Sequence, residues 1–208
     1  MTAPPGCVTV ALTGGACGGK SSLVHELRVR SPWKVPVFLV PEAATKLWRG
    51  LPIALADIGT GRLIEAERVL LRGHRTDVQQ AWKLASLLDS PASLVVCDRA
   101  ELDLDAYLGA PTVDRLLAET GSSREDVMSR YQLVLHLVTV ADGAPEQFYP
   151  TPREERDAWL ETAIDTDRAC ATAWRDHPGY RRIENDMTWD RKLEQALSLI
   201  GDALLSPA

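Results

Sequence analysis

The chain carries at residues 14–21 the stretch Gly14-Gly15-Ala16-Cys17-Gly18-Gly19-Lys20-Ser21. It matches the pattern G-x-x-x-x-G-K-[ST] of a phosphate-binding loop. Residues 8–13 before it are apolar and β-branched, as expected of a buried parallel strand, and residues 22–27 after it are typical of the first turns of a helix. Because the motif requires the order strand, glycine-rich loop, helix, the stretch predicts a nucleotide-binding loop rather than a glycine-rich turn that matches by chance.

The chemistry of this loop follows from its residue types. Its glycines let backbone N–H groups point inward around a phosphate, and the N-terminus of the following helix adds partial positive charge there. Lys20 is expected to contact the β- and γ-phosphates of ATP, and the Ser21 hydroxyl is expected to bind Mg²⁺. The predicted nucleotide-binding residues of the loop are Gly14, Gly15, Ala16, Cys17, Gly18, Gly19, Lys20, Ser21 and Ser22.

Composition narrows the class of protein and its partners. The chain has 208 residues, which suits one α/β domain with its own lid, and 45% apolar and 25% charged residues are ordinary for a soluble globular protein. The net charge of -6 argues against a nucleic-acid-binding surface, and no apolar run reaches the length of a membrane span. We therefore expect a small-molecule substrate, no nucleic acid and no membrane as partners, while a homodimer stays open.

The compartment is inferred from the N-terminus and the cysteines. The first residues lack the basic and apolar regions of a signal peptide. The four cysteines are far apart and form no C-x-x-C pair, which favours a reducing compartment without structural zinc. The sequence therefore predicts a cytoplasmic protein.

Strand and helix patterns alternate along the chain. Strand-like runs occupy residues 8–13, 35–40, 93–97, 133–138 and 180–185. Such alternation predicts an α/β fold in which a parallel sheet is covered by helices on both faces, and we assign residues 1–208 to this single domain. Ligands of these sheets bind at the carboxyl ends of the strands, so the informative residues should follow each strand.

Glu42 directly follows the second predicted strand and precedes a helix that begins near Ala43. A carboxylate at this place would face the acceptor substrate, either as a general base or as the group that orients a hydroxyl. The alternative is a glutamate in the first turn of a helix, which merely complements the helix dipole. Position alone does not decide between these interpretations.

Asp98 and Arg99 follow the third predicted strand. An apolar strand that ends in aspartate is the Walker B arrangement, in which the carboxylate orients Mg²⁺ or its water. Asp98 has two alternative roles, as base for the acceptor hydroxyl or as a mere helix cap. Arg99 is a candidate for bidentate binding of phosphate or of a charged substrate group, and Asp103 is a candidate substrate-binding residue in the acidic run that follows.

Residues 63–88 form a long amphipathic helical pattern that Gly73 is placed to interrupt. Leu63, Ala66, Val69 and Leu70 suit its apolar face. In a P-loop kinase a helix of this kind would wall the acceptor pocket, with Arg75 and Gln79 as substrate-binding candidates. The alternative is that Arg75 and Gln79 are solvated side chains on the outer face of this helix.

The segment after the fourth strand predicts a lid at about residues 141–160. Arg153 and Arg156 share a helix face there and would neutralise charge on a transferring phosphoryl group, unless they form surface ion pairs with neighbouring carboxylates. Asn185 lies at the carboxyl end of the last predicted strand, where adenine is usually held in this architecture. His136, within an apolar strand, is interpreted as a core histidine.

These residues carry a resemblance to a known family. The chain resembles the AAA-type P-loop domain shared by nicotinamide-riboside-kinase-like proteins and TRPL translocation defect proteins. The resemblance implies a P-loop NTPase of the nucleoside- and nucleotide-kinase-like type, with about five parallel strands and a mobile lid. The residues that carry it are 12–21, the block Pro41-Glu42-Ala43-Ala44-Thr45, Asp98-Arg99 with Asp103 and Tyr107, and Arg153 ahead of a helix with Asp165 and Trp174. Ala100 departs from the glycine that this family often has after Asp-Arg.

Two functions from different classes fit the sequence. The first is an ATP- and Mg²⁺-dependent kinase that phosphorylates a hydroxyl of a small, nucleoside-like molecule, with Lys20, Glu42, Asp98, Arg99, Arg153 and Arg156 as its catalytic candidates. The second is a nucleotide-dependent ATPase or GTPase switch that binds a partner. The chain has no Asn-Lys-x-Asp guanine-binding motif, which weakens a GTP-specific version of the switch.

Overall fold

The computed structural model of this protein describes residues 3–49, 62–148 and 156–205. Its strands are β1 (Cys7–Thr13), β2 (Val37–Val40), β3 (Ser93–Asp98), β4 (Leu133–Leu137) and β5 (Tyr180–Ile183). Its α-helices are α1 (Lys20–Arg30), α2 (Ala43–Arg49), α3 (Leu63–Ala85), α4 (Asp105–Leu108), α5 (Ala110–Glu119), α6 (Arg124–Met128), α7 (Arg156–Trp174) and α8 (Trp189–Leu205). Short 3-10 turns lie at Glu101–Leu104 and Pro145–Gln147.

The five strands form one parallel sheet in the order β2-β3-β1-β4-β5. Strand β1 is central, and its register pairs Leu12 with Asp98 of β3 and Thr13 with His136 of β4. All the strands therefore end at the same edge of the sheet, where the phosphate-binding loop follows β1. The predicted α/β fold with a parallel sheet of five strands is confirmed.

Helices cover both faces of the sheet, as alternating side chains along the strands require. Along β1, Val8, Val10 and Leu12 pack with α1 and α8 in one core cluster. Cys7 and Ala11 point to the opposite face and pack in a second cluster with α3, α5, α6 and α7. The sheet is thus the middle of three layers, and its strands are apolar on both faces, which explains their continuous hydrophobic runs.

Helix α3 differs from its prediction in two respects. It runs without interruption from Leu63 to Ala85, because one glycine inside a long, packed helix costs only about 1 kcal/mol relative to alanine. Its buried face also differs from the predicted one. Val69 is exposed, whereas the buried stripe contains Glu67, Leu70, Leu71, His74, Val78, Ala81, Trp82 and Ala85.

The segment between β3 and β4 folds as short helices, separated near Gly109 and Gly121. A capping box opens α6: Ser123 is the N-cap, its hydroxyl accepts from Asp126 N, and Asp126 Oδ2 accepts from Ser123 N at 2.8 Å. No helix in the part of the chain that the structure describes is long and apolar enough to cross a membrane.

Candidate active site

The phosphate-binding loop has the curled backbone that its glycines allow. Gly14 has a φ of 119°, and a Cβ atom there would lie 2.4 Å from the carbonyl oxygen of Leu137 at the end of β4. Only glycine fits such a place, since it combines a left-handed backbone with a close approach to another strand. Cys17 at the exposed tip also has a positive φ, of 56°.

Lys20 begins α1 and points back into its own loop. Its Nζ donates to the carbonyl oxygens of Gly14 at 2.8 Å and Gly15 at 2.6 Å. Burial, together with the nearby Arg99 guanidinium, lowers the pKa of Lys20 to about 8. The ammonium group therefore lies where phosphate oxygens would enter the loop.

Ser21 and Asp98 meet because β1 and β3 are neighbours. Ser21 Oγ donates to Asp98 Oδ2 at 3.1 Å, and burial raises the pKa of Asp98. A hydroxyl and a carboxylate fit Mg²⁺, which takes one or two protein oxygens and completes its octahedron with phosphate and water. Because it lies beside the phosphate-binding loop, this pair is the site's candidate metal position. Among the described residues, no group of three or more His, Cys, Asp or Glu side chains could hold a metal.

Arg99 links the end of β3 to the end of β2 and to the phosphate-binding loop. Its backbone has a φ of 72°, a strained value for a residue other than glycine, and its N–H donates to Leu12 O at 3.0 Å. Its Nε donates to Glu42 Oε1 at 2.7 Å, and its Nη1 lies 3.3 Å from Gly14 O. Strain of this kind at a ligand site favours a binding role for the residue.

Glu42 is held by two donors. Besides Arg99, the Thr45 hydroxyl donates to its second carboxylate oxygen at 2.5 Å. Burial raises the pKa of Glu42, but the Arg99 guanidinium and the Thr45 hydroxyl outweigh it, so the pKa lies below its ordinary value. Glu42 is therefore a fixed, ionised hydrogen-bond acceptor and a weak base.

Asp103 is buried beside the same arginine. Its Oδ1 accepts from Thr13 Oγ1 at 2.5 Å and from Trp174 Nε1 at 2.8 Å. Its Oδ2 lies 3.5 Å from Arg99 Nη1 and has no hydrogen-bond partner among the described residues. Asp103 thus joins β1 and α7 to the site while one of its oxygens stays unpaired.

A cavity of about 300 Å³ opens between the ends of β2 and β3 and helix α3. Glu42, Asp98, Arg99 and Asp103 line it on the sheet side, so the structure brings these four predicted residues together. Apolar side chains line the remaining wall, among them Leu63, Leu70, Leu71, Leu104 and Tyr107. The cavity is suited to an acceptor that combines a ring with polar groups.

Helix α3 contributes different polar residues to this cavity from those predicted. Gln79 is exposed, and the Arg75 guanidinium donates to the Thr120 hydroxyl and approaches Glu101, so neither belongs to the lining that the structure describes. Glu67 and His74 line it instead. Their spacing with Leu70 and Leu71 places them on the buried stripe. An apolar face drawn through Leu71 instead of Val69 would have included both residues.

A second cavity, of about 290 Å³, lies on the other side of the phosphate-binding loop. Ser22 and Asn185 line it, at the place where the sequence predicts an adenine-binding residue. The Asn185 amide donates to the carbonyl oxygens of Thr139 and Asp142, and Lys192 Nζ donates to Asn185 Oδ1 at 2.5 Å. Trp189 packs against Gly19 and offers an aromatic wall for a base.

Asp167 of α7 is a supporting residue that the sequence analysis missed. Its Oδ1 accepts from Gly15 N at 2.8 Å and from Thr139 N at 3.0 Å, and its Oδ2 lies 2.8 Å from His136 Nε2. His136 is buried, as predicted for a core histidine. The irregular pattern of charges along α7 gives no hint that one carboxylate turns inward.

The lid prediction is only partly covered by the structure. Arg153 lies outside the described residues, and Arg156 is the first residue of α7 but its side chain is outside the description. Before this gap, Phe148 is buried in a small cluster with Ala141 and Ala163 of α7. The roles of both arginines stay predictions.

The fold and the site together define a class. A parallel sheet with a phosphate-binding loop after its central strand, a serine–aspartate pair beside the loop and a cavity at the strand ends are the features of a P-loop kinase-like NTPase. Within this class the chain belongs to the AAA domain family, whose model matches residues 9–192. No curated protein matches the chain significantly.

Among solved structures, the chain is similar to shikimate kinase from Acinetobacter baumannii in complex with shikimate. The TM-score is 0.53, the sequence identity is 14%, and the match covers 97% of each chain. At this identity the similarity shows the fold and leaves the acceptor of this chain undetermined.

Proposed function

We propose that the protein is an ATP- and Mg²⁺-dependent kinase that transfers the γ-phosphoryl group to a hydroxyl of a small molecule. The observation that carries the proposal is the pair of cavities on either side of the phosphate-binding loop, lined by Asp98 on one side and by Asn185 on the other. A kinase needs room for two substrates that meet at the loop, whereas a nucleotide switch needs only one.

In this proposal the acceptor oxygen forms a bond to the γ-phosphorus while the bond from that phosphorus to the bridging oxygen of ADP breaks, and the hydroxyl proton passes by way of the Glu42 carboxylate to solvent water. Lys20 stabilises the charge on the transferred group, and the predicted lid arginines 153 and 156 add to this effect. Ser21 and Asp98 would hold Mg²⁺, which neutralises charge on the phosphates when bound.

Glu42 is proposed to orient the acceptor hydroxyl. Its lowered pKa makes it a weak proton acceptor, but its two donors, one on each carboxylate oxygen, hold the carboxylate in a defined place. Positioning is the larger contribution in phosphoryl transfer, since the transition state is loose and needs little help from a base. Arg99 positions Glu42 and couples it to Gly14.

The proposal also includes five more specific expectations from the sequence. They are a relationship to the nicotinamide-riboside-kinase-like proteins, preference for ATP, a cytoplasmic location and a small-molecule substrate, with self-association into a homodimer as a further expectation. The four cysteines are free, which supports a reducing compartment.

The test is ADP release from ATP·Mg²⁺ across a panel of hydroxyl-bearing metabolites, which includes nucleosides, amino sugars, cyclitols and shikimate. We expect one chemical class to stimulate release, and we expect Lys20→Ala to abolish the stimulation while its thermal unfolding and circular dichroism stay those of a folded protein. Slow release that no compound stimulates would favour the nucleotide switch. Equal release by Lys20→Ala would contradict the assignment of the loop.

A further inference from the structure

Glu67 is a buried carboxylate in the wall of the acceptor cavity. It is 6% exposed and lies on the buried stripe of α3, one turn before Leu70 and Leu71. The described part of the chain offers it no hydrogen bond and no ion pair. A carboxylate in such a place costs free energy unless something neutralises it or donates to it.

The same cavity has an excess of negative charge. Five carboxylates line it, and Arg99 is the one guanidinium among its described lining residues. That guanidinium is already engaged, because its Nε binds Glu42 at 2.7 Å and its Nη1 lies 3.5 Å from Asp103. Burial raises the pKa of Glu67, and the charge of Arg99 offsets this effect only in part.

The other lining carboxylates have partners. Glu101 accepts from Arg130 Nη1 and from the Tyr131 hydroxyl, each at 2.6 Å, and Asp98 accepts from Ser21. Glu67 therefore differs from its neighbours in lacking a donor. Asp103 Oδ2 is also buried without a hydrogen-bond partner, and its nearest cation is Arg99 Nη1 at 3.5 Å. Both observations point to a ligand that supplies donors or positive charge.

We propose that Glu67 binds a cationic group of the acceptor, so that the kinase selects hydroxyl compounds that carry a protonated amine. The apolar wall holds the ring of the acceptor, and Glu42 and Asp98 lie at the end where its hydroxyl is phosphorylated. Glu67, on α3, pairs with the positive charge of the acceptor. This inference rests on the proposed kinase function and names its substrate class.

The same arrangement selects against anions. A hydroxy acid would bring its carboxylate against Glu67, Glu42 and Asp103, with Arg99 already paired. Like charges in a partly desolvated cavity repel strongly, and repulsion of this kind is an effective source of specificity. Neutral alcohols of equal size would bind with intermediate affinity.

The test uses acceptors on one ring skeleton in three charge states: cis-3-aminocyclohexanol, cyclohexane-1,3-diol and 3-hydroxycyclohexanecarboxylate, together with aminocyclitols and neutral cyclitols. Binding is measured by calorimetry in the presence of a non-hydrolysable ATP analogue with Mg²⁺, and phosphorylation is measured separately by mass spectrometry. We expect the cationic member of each set to bind best.

Glu67→Gln removes the charge but keeps the size of the side chain, and Glu65→Gln is its control, since Glu65 lies on the same helix but is exposed and pairs with Arg68. We expect Glu67→Gln to weaken binding of the cationic acceptors about tenfold or more, the loss typical of a charge-assisted hydrogen bond, and to leave the neutral ones nearly unchanged. Glu65→Gln should leave both unchanged.

The outcomes separate the two proposals. Equal binding of all three charge classes, or an unchanged preference in Glu67→Gln, would overturn the inference about Glu67 even if an acceptor is phosphorylated. Cationic acceptors that bind through Glu67 but are never phosphorylated would support the site and contradict the kinase. Absence of both binding and transfer across the panel would overturn both.

Discussion

At the scale of single residues, Glu42 and Asp98 are two carboxylates whose surroundings move their pKa values in opposite directions. Burial raises the pKa of Asp98, whereas the Arg99 guanidinium and the Thr45 hydroxyl outweigh burial at Glu42 and lower its pKa. Asp98 also contacts Ser21, on the side of the loop. We therefore assign Asp98 to the metal side and Glu42 to the acceptor side of the proposed reaction.

Glu42→Gln tests this assignment. The variant keeps the shape of the side chain but loses the charge that Arg99 and an acceptor hydroxyl would bind. We expect phosphoryl transfer to fall by roughly a hundredfold or more, as for other lost acid–base or orienting groups, while the affinity for ATP·Mg²⁺ stays unchanged. Turnover and a nucleotide-binding titration measure the two quantities. A fall in nucleotide affinity with unchanged turnover at saturation would move Glu42 to the nucleotide side.

Lys20 supplies a prediction about pH and stability. Its pKa is about 8 in the folded protein and 10.5 in the unfolded reference, so between these values the unfolded chain binds more protons and stability rises with pH. Lys20→Met removes this contribution. From pH 7.5 to pH 10, we expect the free energy of unfolding of the wild type to rise relative to that of Lys20→Met by up to ~3 kcal/mol.

Urea unfolding at both pH values measures this shift. Lys192, whose pKa burial likewise lowers to about 8, is present in both proteins, and only the part of its shift that comes from the Lys20 charge differs between them. Parallel stability curves for wild type and variant would contradict the buried environment of Lys20.

At the scale of secondary-structure elements, α7 packs directly on the phosphate-binding loop. A Cβ atom at Gly15 would lie 2.4 Å from the carbonyl oxygen of Ala163, and Asp167 one turn later binds both Gly15 and Thr139. Helix α7 begins inside the predicted lid, at Arg156, and contacts the loop through Ala163 and Asp167. Movement of α7 would change the conformation of the loop.

Asp167→Asn tests this contact. The amide keeps one oxygen for the two N–H groups but places an NH₂ group toward His136, so the variant loses the charge and one acceptor. We expect a loss of stability of about 1–3 kcal/mol and weaker binding of ATP·Mg²⁺, measured by urea unfolding and nucleotide titration. Asp165→Asn on the exposed side of the same helix is the control and should change neither. An effect of equal size in both variants would argue against a specific role of Asp167.

The elements also show where sequence reasoning succeeds and where it stops. The strands and the loop were predictable, because a buried parallel strand is a continuous apolar run and the loop motif is local. Glu67 and Asp167 were not predicted, because each depends on which way a long helix turns its side chains. On α3 the predicted apolar face contained Val69, which is exposed, instead of Leu71, which is buried, and this error placed Glu67 outside the buried face.

At the scale of the whole molecule, strand order creates the candidate site. The order β2-β3-β1-β4-β5 places Glu42, which follows β2, and Asp98, the last residue of β3, beside the loop after β1. It places Asn185, which follows β5, on the opposite side. Sequence patterns predict that strands are parallel but not which strands are neighbours. The pairing of residues 42, 98 and 99 was therefore a hypothesis until the fold was known.

The proposed kinase transfers the γ-phosphoryl group to an acceptor rather than to water. Incubation with Mg²⁺, the mixed acceptor panel and ATP that carries ¹⁸O in its γ-phosphoryl group, followed by mass spectrometry, shows where the label goes. We expect a phosphorylated acceptor that carries the label and that is absent with Lys20→Ala. Label found only in inorganic phosphate, at a rate that no acceptor changes, would contradict the kinase and favour a hydrolytic switch.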